Sequence, residues 1–222
     1  MLQFATTKCR AHNHPEITLQ FKESRPVPVE RMLLSYFERG VGAGTRFMAG
    51  QTVQVGWATL RLCARADGTL GVQELDASGW VESCDRSLMQ VWLQKDVASS
   101  VGLTAAISFP RQDQIAIACD RALSTTSWLL SRMEPQDRGD SGWFIGCFGE
   151  PAHDHEHEDD LHVEQLLQLT HRLPFITQFL ALPPGFSVHI DGTTERIRPR
   201  LFFRGESRSP SPGSYLASLA AG

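Results

Sequence analysis

The apolar residues of this chain fall mostly in short alternating runs, cut by glycine, proline and Asp-Gly pairs. That pattern constrains the fold more than any other feature. Residues 16–21 (EITLQF) alternate. Val53, Val55 and Trp57 alternate, and Leu60, Leu62 and Ala64 continue on the opposite phase, which predicts a strand with a bulge or turn near Ala58–Thr59. Asp67-Gly68 is a hairpin signal leading into Leu70 and Val72. In the second half, 114–119 (QIAIAC), 127–133 (SWLLSRM) and 142–148 (GWFIGCF) read as strands, with 134–141 (EPQDRGDS) turning between the last two. Phe186–Ile190, the turn at Asp191-Gly192 and Thr194–Arg198 form a further hairpin. Side chains with a period of two point to alternate faces, so such runs demand a sheet with one face covered.

Helical stripes supply the cover. Val29, Met32, Leu33, Tyr36 and Phe37 share one helix face, and Gly40 stands where that helix would stop. Leu88, Val91 and Trp92 predict a second helix with Ser83 or Asp85 as its cap. Val163, Leu166 and Leu167 give the face of a third. A short fourth runs from Phe175 to Leu180, with Pro174 at its start and Pro183-Pro184-Gly185 beyond its end. The expected fold is α+β: an antiparallel sheet packed against helices, in one or two α+β domains. At about 150 residues per domain, 222 residues allow one large domain or two small ones. The weakly patterned segment 98–105 (ASSVGLTA) marks the expected boundary. Residues 1–105 then form an N-terminal α+β domain of unknown role and 106–204 a second. Residues 205–222, rich in Ser, Pro, Gly and Ala, form a flexible tail. The first domain either docks on the second or continues its sheet.

Composition removes several classes. Hydrophobic residues make up 41% and charged residues 21%, as in ordinary globular chains, and no apolar run reaches the roughly 18 residues of a membrane span. The opening residues MLQFATTKCR lack the basic start and apolar core of a secretory signal. Five cysteines, an odd number without CxxC spacing, read as reduced thiols in the cytoplasm. Glycines 40, 42, 44 and 50 do not spell a phosphate loop. Arg196, Arg198, Arg200, Arg204 and Arg208, with Phe202 and Phe203 between them, form a basic stretch. Their alternation fits the solvent face of a hairpin, and nucleic acid is not an expected partner. Charge is uneven along the chain. From Glu134 to Glu164 ten acids face one base, Arg138, a balance of −9 in a chain of net −4. Such a face repels nucleic acid and attracts basic proteins.

Two motifs invite catalytic readings. Gly139-Asp140-Ser141-Gly142 is similar to the nucleophile segment of trypsin-like proteases, but Trp143 stands where that family has a second small glycine. The upstream histidines, His12 and His14, lie outside any catalytic motif, so no Ser-His-Asp set is expected. The run 153–160 (HDHEHEDD) places His153, His155 and His157 on alternate positions, with His162 five residues after the last of them. Imidazoles and carboxylates so spaced can bind zinc, and a metal-dependent hydrolase built on the 153–162 His/Asp cluster is the alternative function. The favoured reading is a solvated loop before a helix, with Asp159 or Asp160 as the N-cap and no bound metal or other cofactor. Cys147 sits in an apolar strand, and none of the five thiols is assigned a catalytic role.

One segment points to a family. Asp140-Ser141-Gly142-Trp143 is followed by aromatic residues, Gly149-Glu150 and the acidic stretch. Then come Val163, Leu166 and Leu167, Pro174 with Ile176, Leu180, and Pro184-Gly185. This order resembles the immunity-protein-33-like family of bacterial polymorphic-toxin and secretion-system gene clusters. The resemblance covers roughly residues 113–200 and leaves 1–105 unmatched. It departs from the family pattern at Gly146, which interrupts the strand, and in the histidine-swollen loop. It implies a non-enzymatic protein that binds and neutralises a cognate toxin or effector. Acidic patches steer basic partners, and tryptophan is a frequent anchor at interfaces. The expected partner-binding residues are therefore Asp140, Trp143, Asp154, Glu156, Glu158, Asp159 and Asp160. Two of them have a second reading: Trp143 as core, and Asp140 as a clamp on the turn before it. A non-catalytic regulatory or scaffold module is the remaining alternative.

Overall fold

A computed structural model describes residues 1–22, 29–76, 78–148, 155 and 158–220, apart from the side chains of Glu158 and Ala220. The fold is α+β. The chain divides into two compact units, Met1–Trp92 and Leu93–Gly222. This boundary precedes the expected one at residue 105, because the segment 98–105 begins as helix. Each unit has its own sheet, so the first half does not continue the sheet of the second.

Unit 1 holds β1 (Leu2–Ala5), β2 (Ile17–Phe21), α1 (Glu30–Gly42), β3 (Thr52–Val55), β4 (Ala58–Ala64), β5 (Leu70–Asp76) and β6 (Gly79–Val81). The strand order is β1-β2-β5-β4-β3, with β6 also on β5. All these pairs are antiparallel except β2 with β5, so the sheet is mixed rather than purely antiparallel. Its core joins Ile17, Leu19 and Phe21 to Leu60, Leu62 and Val72, and to Leu33, Phe37 and Val41 of α1. The buried helix face is thus a narrow i, i+4 line from Val29, while Met32 and Tyr36 stay exposed. Gly40 does not end the helix. A Cβ there would lie 3.0 Å from the Phe47 ring, so glycine makes room for that ring. The β3–β4 turn falls at Gly56-Trp57, just before the expected place, with Gly56 at φ 59°.

α2 (Asp85–Ser100) begins in unit 1 and ends in unit 2. Ser83 Oγ accepts from the Asp85 N–H at 3.1 Å, as a cap should. The buried Glu74 carboxylate adds a second cap from β5, accepting from Ser87 N at 2.6 Å and Arg86 N at 3.3 Å.

Unit 2 holds β7 (Ile115–Cys119), β8 (Ser127–Arg132), β9 (Asp140–Cys147), β10 (Leu161–Gln165), α3 (Leu166–Arg172), β11 (Phe186–Gly192), β12 (Ile197–Phe203), β13 (Glu206–Arg208) and α4 (Tyr215–Ala220). The order is β10-β7-β9-β8-β11-β12-β13, and among the described strands of this sheet only β7 with β9 is parallel. The register sets Ile145, Leu130, Val188 and Leu201 side by side across four strands, all buried. Leu166 and Leu169 of α3, and Ile176 and Phe179 of the 3₁₀ turn Pro174–Phe179, add buried side chains. The Trp128 and Phe175 rings lie 4.7 Å apart.

Two expectations change here. Residues 161–165 are a strand on β7, not the first turn of a helix, so neither Asp159 nor Asp160 is a helix cap. Pairing with Ile115–Cys119 overrides the local helical pattern. Residues 205–220 are not a flexible tail. β13 pairs with β12, Ser211 N donates to Ser100 O at 2.8 Å, and Leu216 is buried. Among the described residues no helix is long and apolar enough to cross a membrane.

Candidate functional site

The Asp-Ser-Gly-Trp turn opens β9, and each of its side chains is spent on the fold. Asp140 accepts from Gln136 N at 2.8 Å with one oxygen and from Gly142 N at 2.7 Å with the other. Ser141 Oγ donates to Ile115 O at 2.6 Å and accepts from Trp143 N at 3.2 Å, tying β9 to β7. Gly142 has φ 73°, and a Cβ there would lie 2.2 Å from the Met133 carbonyl oxygen. No other residue type fits that position. Trp143 is 1% exposed, and its indole N–H donates to Leu180 O at 3.2 Å. The expected partner contact by Trp143 is therefore corrected: its phase in β9 turns the ring into the core. Asp140 likewise takes its second reading, as the clamp of the turn.

Arg132 completes this region, and the sequence reading missed it. It is buried, 5.5 Å from the centre of the Trp143 ring, and among the described residues its hydrogen-bond acceptors are backbone carbonyls. It donates to the carbonyls of Ser108 at 2.5 Å, Leu180 at 3.1 Å, Leu182 at 2.6 Å and Ser141 at 3.3 Å. Burial lowers its pKa to about 10, so it remains cationic at neutral pH. The signal was available: Arg132 shares the inward phase of Trp128 and Leu130.

The acidic segment lies at the opposite end of the neighbouring strands, beside the end of β7 rather than its start. Asp159 is exposed and Asp160 half-buried, on the 3₁₀ turn Glu158–Asp160 that leads into the edge strand β10. Asp154, Glu156 and the Glu158 side chain, like His153 and His157, lie outside the described residues. Beside Asp159 and Asp160 an apolar strip is open. Val163 is 62% exposed and pairs with Ile117, 38% exposed; Ile115, two residues before it in β7, is 39% exposed. His162 lies among carboxylates. Its Nδ1 lies 2.9 Å from Asp120 and its Nε2 3.5 Å from Glu164, which also pairs with Arg172.

One group among the described residues has metal-ligand geometry: Cys119, Cys147 and His155, with all three donor atoms within 4.8 Å of one another. Of the expected histidine set, His155 belongs to it, while His153 and His157 lie outside the described residues. In unit 1 a shallow pocket of about 260 Å³ is lined by His12, His14, Thr45 and Arg46. His14 there is structural: its Nε2 accepts from Phe47 N at 3.0 Å, and its Nδ1 lies 2.7 Å from Pro15 O.

Residues 93–198, within the second unit, match the family model described as the Imm33-like domain. The match starts at the first residue of unit 2 and ends within β12. No curated protein and no solved structure gives a match.

Proposed function

We propose that this protein neutralises a cognate bacterial toxin or effector by binding it, and catalyses no reaction of its own. The observation that carries this reading is the Imm33-like domain at residues 93–198. The surface supports it. An immunity protein needs an accessible contact face. The exposed strip Ile115, Ile117 and Val163, flanked by Asp159 and Asp160, has the apolar centre and charged rim of such a face. β10 is also a sheet edge, open to added main-chain hydrogen bonds. The partner is then a protein with a basic rim around an apolar centre. Asp154, Glu156 and Glu158 extend the acidic flank in sequence. A cytoplasmic site of action fits the five free thiols.

The test is rescue. The gene beside that of this protein is expressed in a bacterial host with and without it, and survivors are counted. Killing by the neighbour alone, and growth on co-expression, are the expected results. Reversal of the charges from 154 to 160, together with Val163→Glu, removes the protection. Killing that persists with the wild-type protein contradicts the pairing.

A further inference from the structure

Cys119 is the last residue of β7 and Cys147 the last of β9. The two strands are parallel neighbours, so their C-terminal residues arrive at the same end of the sheet. Their Sγ atoms lie 3.8 Å apart, and His155 Nε2 lies 3.5 Å from Cys147 Sγ. The imidazole is seated. The Phe144 ring stands edge-on to it at 5.1 Å, and Gly146 leaves the space both rings need. A Cβ on Gly146 would meet Phe144 at 2.6 Å and His155 at 3.1 Å. The glycine that breaks the apolar run of β9 therefore makes room for this histidine.

The distances of Cys147 Sγ from Cys119 Sγ and from His155 Nε2 fit a tetrahedral ion, and the third donor pair lies within 4.8 Å. With metal–sulfur bonds of about 2.3 Å and a metal–nitrogen bond of about 2.05 Å, tetrahedral angles place two sulfurs about 3.8 Å apart and a sulfur and nitrogen about 3.5 Å apart. We propose that Cys119, Cys147 and His155 bind one thiophilic divalent cation, Zn²⁺ by ligand type. Two thiolates and a neutral imidazole balance its charge, and the fourth position is open to water or a further donor. Burial, then the neighbouring Cys119 thiol, pushes the Cys147 thiol upward, and ligation of a thiolate to the cation displaces its proton. The ion ties His155, five residues before Asp160, to the ends of two sheet strands, and so fixes the start of the acidic segment.

The full-length protein, reduced and stripped with a chelator under anaerobic conditions, is titrated with Co²⁺ and then Zn²⁺. The expected result is one equivalent of Co²⁺ with thiolate charge-transfer and tetrahedral ligand-field bands, bleached by Zn²⁺. Loss of an outer partner of a metal ligand weakens binding about 10–100-fold. Loss of a ligand itself, in Cys147→Ser or His155→Ala, weakens it by more than about 100-fold. His153→Ala with His157→Ala leaves it unchanged. His155 is half-buried, so His155→Ala keeps the fold even where Cys147→Ser does not, and circular dichroism checks both. Absence of thiolate–cobalt bands overturns the proposal. So does binding that survives His155→Ala in a folded protein, or closure of a Cys119–Cys147 disulfide that Zn²⁺ does not prevent.

Discussion

Asp140–Trp143 and Asp159–Val163 belong to the same sheet, but their side chains are used in opposite ways. In the first segment every polar group has an internal partner, and the ring of Trp143 is sealed. In the second, Asp159 and Val163 face solvent at the start and middle of an edge strand. The residues that make the family recognisable are thus consumed in building the scaffold. The surface able to meet a partner is composed of residues that no motif singles out. A short motif reports a local backbone problem that few side chains solve. A contact face reports a partner, and many side chains can serve it.

The contrast can be broken at either end. The largest effect is expected for Gly142→Ala, which adds a left-handed φ penalty of about 1 kcal/mol to the clash with Met133 O. A total above about 4 kcal/mol, seen as loss of folded protein, is the expected outcome. Trp143→Ala removes a buried ring and a hydrogen bond, and lowers the urea-derived stability by about 3–5 kcal/mol. Arg132→Met strands the carbonyls of Ser108, Leu180 and Leu182 and costs about 2–4 kcal/mol. Asp140→Ala opens two turn hydrogen bonds for about 1–2 kcal/mol. Asp159→Lys changes stability by no more than about 0.5 kcal/mol, as an exposed charge does, while weakening the partner complex. Partner affinity lost on Asp140→Ala at unchanged stability would dissolve the contrast.

Unit 1 adds a test on pH. Burial alone raises Glu16, but the hydrogen bonds from Thr6 and from the Arg10 and Cys9 backbone outweigh it and hold its pKa below the usual 4.5. A carboxylate so depressed adds stability that is present above its unfolded pKa and is lost as pH falls through the folded one. The protection of the β2 amides against hydrogen exchange, corrected for the intrinsic rate, should therefore fall below about pH 4.5. Glu16→Gln should flatten that acid slope; an unchanged slope would place the effect elsewhere.

Much of the fold was legible because period-two runs are local. The strands at 16–21, 114–119, 127–133, 142–148 and 186–190 all lie within or across observed ones. What escaped depended on distant partners. The segment 161–165 reads as helix until β7 is beside it, and the serine-rich end reads as loose until Ser211 meets Ser100. The parallel pairing of β7 with β9 follows from topology alone, and the meeting of Cys119 with Cys147 follows from that pairing. Within the candidate site, the acidic stretch and the family were visible in residue order. The burial of Trp143 was open to phase reasoning, since it shares the inward parity of Ile145. The strip of Ile115, Ile117 and Val163 was not, because exposure of an apolar residue leaves no mark in a sequence.

Calorimetric titration of the neighbouring gene's product into three forms of this protein tests the central claim most directly. The forms are wild type, Asp159→Lys/Val163→Glu, and Asp140→Ala. The account predicts tight binding by the wild type and an affinity lowered at least about tenfold in the surface variant at an unchanged melting temperature. Asp140→Ala keeps its affinity at a reduced melting temperature. Full affinity in the surface variant, or affinity lost in Asp140→Ala with its stability intact, would contradict the account.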